Sequence, residues 1–126
     1  MSQLKKVLLG VLVLISTSVF SAGIPITNSD LMDIEKKSKS AVITVHADWC
    51  PTCKSQDKIL QNIMKDPAYK NVTFYQLDFD TQKDLLKSLK ASSQSTIIIF
   101  KGGKEVARTT GDTKEEALSK LTKQAI

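Results

Sequence analysis

The sequence predicts an α/β fold in which a central mixed β-sheet is covered on both faces by helices. Three runs rich in β-branched residues, at positions 41–47, 72–79 and 96–100, indicate buried strands. Apolar residues recur at helical spacing in both intervals between these runs. This alternation requires parallel strands joined by helical crossovers. The adjacent Gly102 and Gly103, by contrast, indicate an antiparallel hairpin after the third run.

The first half of the chain supplies a strand, a helix, a second strand and a second helix. Residues 24–26 form a short strand at the sheet edge, where its proline is tolerated. One of the polar side chains at positions 28–30 caps a helix that runs to about residue 38. The buried strand at 41–47 then leads almost directly into a helix over residues 50–64.

The second half adds a strand, a helix, a hairpin and a last helix, which completes the order β-α-β-α-β-α-β-β-α. After the strand at 72–79, Asp80 or Thr81 caps the third helix, and Thr81 with Asp84 resembles a capping box. The remaining elements are a returning strand over residues 105–110 and a helix that Asp112 or Thr113 opens together with Glu116.

The N-terminal residues have the pattern of a secretory signal peptide. Lys5 and Lys6 precede an apolar stretch, and the small residues Ser21, Ala22 and Gly23 follow it as a cleavage site. The stretch over residues 7–20 has 14 residues, whereas a membrane-spanning helix needs about 20. An uncleaved anchor is the alternative. We therefore predict a signal peptide over residues 1–22, one domain over residues 23–126, and a periplasmic or secreted protein.

The charge pattern argues against a nucleic-acid-binding protein. The formal net charge of +5 falls to +3 without Lys5 and Lys6. The remaining lysines are scattered among acidic residues, and the few aromatic residues are not interleaved with them. Such a pattern is typical of a solvated charged surface, and we predict no nucleic-acid partner.

The chain has two cysteines, Cys50 and Cys53, separated by two residues. A structural disulfide framework normally uses four or more cysteines, and a bridge that closes so short a loop stabilises the fold little. A zinc site normally needs four ligands, and only His46 lies nearby in the sequence. Thiol–disulfide chemistry is therefore favoured, half a zinc site and an inert bridge remain the alternatives, and no metal or cofactor is predicted.

The placement of the pair suits a nucleophile. The attacking species is a thiolate, and Cys50 lies where a strand gives way to a helix, whose dipole and unpaired N–H groups stabilise negative charge. We expect Cys50 to have a lowered pKa and to attack, and Cys53, one turn later, to resolve the mixed disulfide. Pro51 suits the first helical position, Thr52 fills the other intervening position, and Trp49 provides an apolar rim for a partner peptide.

The segment Ala47-Asp48-Trp49-Cys50-Pro51-Thr52-Cys53-Lys54 and the strand and turn at 95–103 resemble the thioredoxin superfamily. The resemblance covers nearly all of residues 24–126. The lead-in is similar to the C-terminal domain of the membrane transporter DsbD, and the tetrad is similar to that of the reductase CcmG. The resemblance implies a thioredoxin-like fold and cofactor-free exchange with protein thiols and disulfides. It favours a monomeric reductant supplied with electrons by a DsbD-like membrane donor.

One departure from the family concerns substrate binding. Ser95 stands where the family has a cis-proline, and a cis peptide before another residue costs about 3 kcal/mol, so we predict a trans bond between Gln94 and Ser95. In the family this loop and a nearby glycine contact the substrate, which implies Gln94, Ser95 and Gly111 for substrate binding. A packing or turn role is the alternative for Gly111. The alternative function is a thioredoxin-like module that binds a protein or metal with little turnover.

Two further departures concern proton transfer. Thr44 and Gln76 stand where cytosolic relatives have a buried aspartate and its lysine companion. Removal of the Cys53 proton must then rely on water, on the substrate thiolate or on His46. His46 itself has two interpretations: a partly buried histidine satisfied by the backbone, or a cation or base that tunes the cysteines.

Overall fold

The structure, a computed structural model, describes Gly10 and residues 22–126, so the predicted signal peptide lies outside the described residues except at Gly10 and Ala22. The described part contains the predicted order of elements, with no helix long and apolar enough to cross a bilayer. The strands are β1 (Ile24–Pro25), β2 (Ser40–His46), β3 (Val72–Asp78), β4 (Thr96–Lys101) and β5 (Lys104–Thr110). The α-helices are α1 (Asn28–Lys36), α2 (Pro51–Ile63), α3 (Lys83–Ser88) and α4 (Glu115–Thr122), with short 3-10 helices at Pro67–Tyr69 and Lys123–Ala125.

The five strands form one sheet in the order β1-β3-β2-β4-β5. The pairs β1–β3 and β2–β3 are parallel, whereas β2–β4 and β4–β5 are antiparallel. The predicted mixed sheet with a terminal hairpin is therefore confirmed. Because β2 lies in the middle of the sheet, the segment that follows its carboxyl end is placed at the centre of one sheet edge.

Helices cover both faces of the sheet, as predicted. Side chains alternate across a strand, and in β2 Ile43 and Val45 pack on the face covered by α1 and α3, while Val42 packs on the face covered by α2 and α4. Leu60 of α2 and Leu118 of α4 are completely buried against that second face. The core on this second face fixes α2, which carries Cys53 and begins directly after Cys50, against the sheet.

The helix α1 is capped one residue earlier than predicted. The Thr27 hydroxyl accepts a hydrogen bond from the Asp30 N–H at 3.1 Å, and the Asp30 carboxylate accepts one from the Thr27 N–H at 2.8 Å. The two residues form a reciprocal capping box. The prediction of a cap within residues 28–30 is therefore wrong, although Asp30 takes part as the third helical residue.

The predicted caps of α3 and α4 are also wrong, because the candidate side chains bind elsewhere or lie outside the cap position. Gln82 occupies the N-cap of α3 without capping it, since its amide nitrogen donates to the Ile26 carbonyl instead. Lys114 occupies the N-cap of α4, and its N–H donates to the Asp112 carboxylate in a turn that closes before the helix begins. The expected caps were Asp80 or Thr81 for α3 and Asp112 or Thr113 for α4.

The hairpin between β4 and β5 turns at Gly102 and Gly103, as predicted, with φ of +60° and +80°. The two glycines have different surroundings. A Cβ on Gly102 would meet no atom within 4 Å, whereas a Cβ on Gly103 would lie 2.8 Å from the Glu35 carbonyl oxygen. Of these two glycines, only Gly103 packs against the end of α1.

Candidate active site

Cys50 lies at the N-terminus of α2, just after the central strand β2 ends at His46. Its backbone is extended (φ −93°, ψ 110°), and its sulfur accepts a hydrogen bond from the Cys53 N–H at 3.1 Å, as a capping oxygen would. Pro51 occupies the first helical position, where its missing N–H leaves no bond unmade. The predicted location of Cys50 at a helix start is confirmed.

A serine hydroxyl lies within reach of both cysteine sulfurs. Ser95 Oγ is 3.1 Å from Cys50 Sγ and 3.2 Å from Cys53 Sγ. Both cysteines are free thiols and are buried, with exposed fractions of 3% and 2%. Cys53 Sγ also lies 3.8 Å from the Val45 carbonyl oxygen. The two sulfurs and the hydroxyl form the centre of the candidate site.

The surroundings separate the acidities of the two thiols. Burial opposes ionisation of Cys50, but hydrogen bonds from the Cys53 thiol, the Ser95 hydroxyl and the N–H groups of Cys53 and Thr52 outweigh it, so the pKa of Cys50 is lowered. Burial raises the pKa of Cys53, and the neighbouring Cys50 sulfur raises it further. Cys50 is therefore the thiol that ionises first, and a thiolate is the form that attacks a disulfide.

The backbone of Ser95 is held in a left-handed conformation, with φ of +63°. Its N–H donates to the Val45 carbonyl oxygen at 2.8 Å. Its carbonyl oxygen accepts hydrogen bonds from the Gly111 N–H and from the side-chain amide of Gln56, each at 3.0 Å. These three bonds connect Ser95 to β2, to α2 and to the segment after β5, and together they fix the direction of its side chain.

Two residues predicted to contact a substrate lie next to Ser95. The peptide bond between Gln94 and Ser95 is trans, as predicted, and Gln94 is half-buried. Gly111 has φ of +77°, and a Cβ built on it would meet no atom within 4 Å. The surface beside Ser95 is therefore open above Gly111, which leaves room there for a second chain.

The predicted rim residue Trp49 precedes Cys50, and the intervening residues Pro51 and Thr52 follow it. Trp49 is 59% exposed, and its ring packs edge to face on Phe79 with centroids 6.4 Å apart. Its indole N–H donates to the Asp80 carboxylate at 2.9 Å, which fixes the orientation of the exposed ring. Pro51 is exposed and Thr52 is half-buried. An oriented apolar surface thus borders the cysteine pair.

His46 lies between two carboxylates. Its Nε2 is 3.0 Å from Asp48 Oδ1, and its Nδ1 is 3.2 Å from Asp57 Oδ2, a contact that is not aligned as a hydrogen bond. The imidazole is 14% exposed and the Asp57 side chain 12%. The interpretation of His46 as satisfied by the backbone therefore does not hold. A role for His46 as a base or cation near the cysteines stays a prediction.

Two residues of the site, Gln56 and Asp57, were missed by sequence reasoning. They follow Cys53 by three and four positions, so they lie on the same buried face of α2. Gln56 is completely buried, and its amide nitrogen reaches both the Ser95 and Asp112 carbonyl oxygens at 3.0 Å. Burial raises the pKa of Asp57, and the nearby His46 opposes the rise. The signal for both was a polar residue at a core position of an amphipathic helix.

Thr44, the β2 residue that stands in place of a buried aspartate, has no titratable group. Thr44 is 2% exposed, and its hydroxyl donates to the Tyr75 carbonyl oxygen at 3.2 Å. Gln76 pairs with Thr44 across the β2–β3 ladder. The buried carboxylate on this side of the sheet comes instead from Asp57 of α2.

The arrangement supports reversible dithiol–disulfide chemistry. A thiol that ionises readily lies at a helix start, and a second thiol one turn away contacts the same hydroxyl. Within the part of the chain that the structure describes, no three His, Cys, Asp or Glu side chains are grouped closely enough to hold a metal ion. Cys50 and Cys53 supply the thiol groups of the described site.

The sequence of the chain is similar to a family model and to known proteins. Residues 26–124 match the family model described as Thioredoxin. The chain is 36% identical over 73 residues to Thioredoxin-2 of Saccharomyces cerevisiae, a match that spans 58% of this chain and 68% of the yeast protein. It is 29% identical over 98 residues to Thioredoxin H-type of Fagopyrum esculentum, spanning 78% of this chain and 83% of that one.

Solved structures show the same similarity. The crystal structure of Trxlp from Edwardsiella tarda EIB202 superposes with a TM-score of 0.74 at 35% sequence identity, over 78% of this chain and 96% of that chain. The oxidised form of mitochondrial thioredoxin 3 from Saccharomyces cerevisiae superposes with a TM-score of 0.71 at 25% identity, over 82% of this chain and 95% of that one.

Proposed function

Because the chain belongs to the thioredoxin family and is a thiol–disulfide oxidoreductase, we propose that Cys50 and Cys53 exchange disulfides with protein substrates. The observation that carries this proposal is the Cys50 sulfur at the start of α2, in contact with the Cys53 N–H and the Ser95 hydroxyl. Both contacts stabilise a thiolate at the atom that must attack.

The proposed reaction has two displacement steps. The Cys50 thiolate attacks one sulfur of a substrate disulfide, a bond forms between Cys50 and that sulfur, and the other substrate sulfur leaves with the electron pair. Cys53 then gives its proton to the substrate thiolate that left in the first step and attacks Cys50 Sγ, which closes the protein disulfide and releases the second substrate thiolate. The substrate gains two electrons and the cysteine pair loses them. No small-molecule cofactor takes part.

The substrate chain is proposed to lie across Trp49, Gln94, Ser95 and Gly111. Support comes from the exposed, oriented ring of Trp49 and from the open space above Gly111. Insulin reduction tests the exchange reaction directly, with dithiothreitol as electron source and the appearance of free insulin B chain as the measurement. We expect activity that is abolished by Cys50→Ser, and a trapped mixed disulfide with Cys53→Ser. Activity no greater than that of Cys50→Ser would favour the alternative, a binding module with little turnover.

We further propose that the protein is exported and acts as a monomeric reductant supplied by a DsbD-like membrane donor. The proposal of export rests on the sequence of residues 1–22, with its basic start, apolar stretch and small residues. Expression of the full chain in a Gram-negative host, followed by cell fractionation and measurement of the N-terminal mass, tests it. A cytoplasmic product that begins at Met1 would contradict export.

The direction of exchange is tested by the reduction potential of the cysteine pair. Equilibration with glutathione or dithiothreitol buffers, followed by alkylation and mass measurement, gives this value. A potential near that of thioredoxin, about −270 mV, would support a reductant, and one near that of DsbA, about −120 mV, would identify an oxidant.

A further inference from the structure

We propose that Ser95 is a catalytic residue whose hydroxyl donates a hydrogen bond to the Cys50 thiolate while it accepts a hydrogen bond from the Cys53 thiol. The proposal rests on the exchange reaction proposed above and adds a third group to it. Its basis is direct contact, since Ser95 Oγ lies 3.1 Å from Cys50 Sγ and 3.2 Å from Cys53 Sγ.

The direction of these two hydrogen bonds follows from counting protons. A hydroxyl has one proton to donate and lone pairs to accept with, so Ser95 can donate to only one of the two sulfurs at a time. Cys50 Sγ already accepts the Cys53 N–H at 3.1 Å. Negative charge is therefore best placed on Cys50, where the N–H and the hydroxyl act together.

The Cys53 thiol proton then needs an acceptor. Besides the Cys50 sulfur, to which the Cys53 thiol can donate directly, two oxygens are within reach of Cys53 Sγ: Ser95 Oγ at 3.2 Å and the Val45 carbonyl oxygen at 3.8 Å. The hydroxyl is the closer of these two oxygens. A chain from the Cys53 S–H through the Ser95 hydroxyl to the Cys50 thiolate satisfies all three groups. The lowered pKa of Cys50 agrees with a hydrogen bond donated by Ser95, whereas the raised pKa of Cys53 comes from burial and from the Cys50 sulfur.

The backbone of Ser95 indicates that this contact is maintained by the fold. Positive φ is unfavourable for residues other than glycine and persists only where the surroundings determine it. The other such residues in the described part, Ser38 and Lys90, each come directly after a helix ends, where left-handed residues are common. Ser95 lies instead in a bend directly before β4, and hydrogen bonds to Val45, Gln56 and Gly111 hold it.

The hydroxyl favours the reduced form of the pair. Reduction adds two electrons and one proton to the Cys50–Cys53 disulfide and yields a thiolate on Cys50 and a thiol on Cys53. The thiolate can accept from Ser95 and the thiol can donate to it, whereas a disulfide has neither a charge nor a proton to offer. Ser95 should therefore lower the Cys50 pKa and raise the reduction potential of the pair.

Two variants and one control test the proposal. Ser95→Ala removes the hydroxyl, and Ser95→Gly removes it while also accepting the positive φ without strain. Ser93→Ala is the matched control, because the Ser93 hydroxyl lies in the same loop and donates to the Gln94 carbonyl oxygen. The Cys50 pKa is measured from the pH dependence of its alkylation by iodoacetamide, a readout that does not require turnover of any substrate.

We expect both Ser95 variants to raise the Cys50 pKa by about one unit, which lowers the alkylation rate about tenfold at a pH below both pKa values. At a pH above the Cys50 pKa of both wild type and variant, the reduction potential of the cysteine pair should fall by about 30 mV, which is the equivalent of one pKa unit. Ser93→Ala should change neither quantity.

Three results would overturn the proposal. An unchanged Cys50 pKa in both Ser95 variants would show that the hydroxyl does not stabilise the thiolate. A shift in Ser95→Ala that is absent in Ser95→Gly would assign the effect to backbone strain. An equal shift in Ser93→Ala would assign it to the loop as a whole. If Ser95→Ala does not fold, Ser95→Gly carries the test. A failed insulin assay would leave this measurement intact.

Discussion

Gly111→Ala tests whether the open surface beside Ser95 is the place where a substrate chain lies. Gly111 has φ of +77°, its N–H donates to the Ser95 carbonyl oxygen at 3.0 Å, and a Cβ on it would project into space free of protein atoms within 4 Å. Gly102 is the matched control. It has φ of +60° and equally open surroundings, but it lies in the hairpin turn at the opposite end of β4 from Ser95.

The structure predicts equal effects of the two substitutions on stability. Neither new methyl group meets another atom, so the cost in each case is that of a left-handed alanine, about 1–2 kcal/mol. For a domain of this size such a loss lowers the melting temperature by roughly 4–8 °C for each kcal/mol. Both variants should remain folded at 25 °C.

The effects on activity should differ. In Gly111→Ala the methyl group occupies space proposed for the substrate backbone, and loss of about 1.4 kcal/mol of substrate contact corresponds to a tenfold fall in kcat/KM. Gly102→Ala should keep the wild-type value. The assay is insulin reduction at 25 °C over a range of insulin concentrations, with melting temperatures measured in parallel. Equal activity of the two variants would refute the placement of the groove.

Three further predictions follow from the surroundings of single residues. Gly103→Ala should destabilise the fold by about 1–3 kcal/mol more than Gly102→Ala in urea unfolding, because its Cβ would lie 2.8 Å from the Glu35 carbonyl oxygen; equal losses would contradict this packing. Asp57→Asn should gain stability relative to wild type as the pH rises, because burial raises the pKa of Asp57. A carboxyl with a raised folded-state pKa stabilises the fold below its unfolded pKa and loses that contribution as the pH rises through the folded value. A difference in unfolding free energy between Asp57→Asn and wild type that does not change with pH would contradict the burial effect. Trp49→Ala should slow insulin reduction and leave the iodoacetamide-derived pKa of Cys50 unchanged, because the Trp49 ring is 59% exposed. A shifted Cys50 pKa would show that Trp49 acts on the environment of the thiol.

Much of the fold follows from local sequence pattern. Strands such as residues 41–47 are recognisable because β-branched residues suit a buried, pleated strand, and the turn at Gly102 and Gly103 because both positions need positive φ. The helix caps were less predictable. Several polar residues near each helix start can cap it, and the choice among them depends on which other partners the fold offers, as the bond from Gln82 to the Ile26 carbonyl oxygen shows.

The cysteine pair and its place at a helix start are determined by the sequence itself, because the spacing of Cys50 and Cys53 and the strand before them are local features. Only the tertiary structure decided that Ser95, 42 residues after Cys53, contacts both sulfurs. It also brought Asp57 of α2 against His46 of β2. The physical reason is that hydrogen-bond partners from different elements are set by how helix and sheet pack, and this packing depends on the whole core.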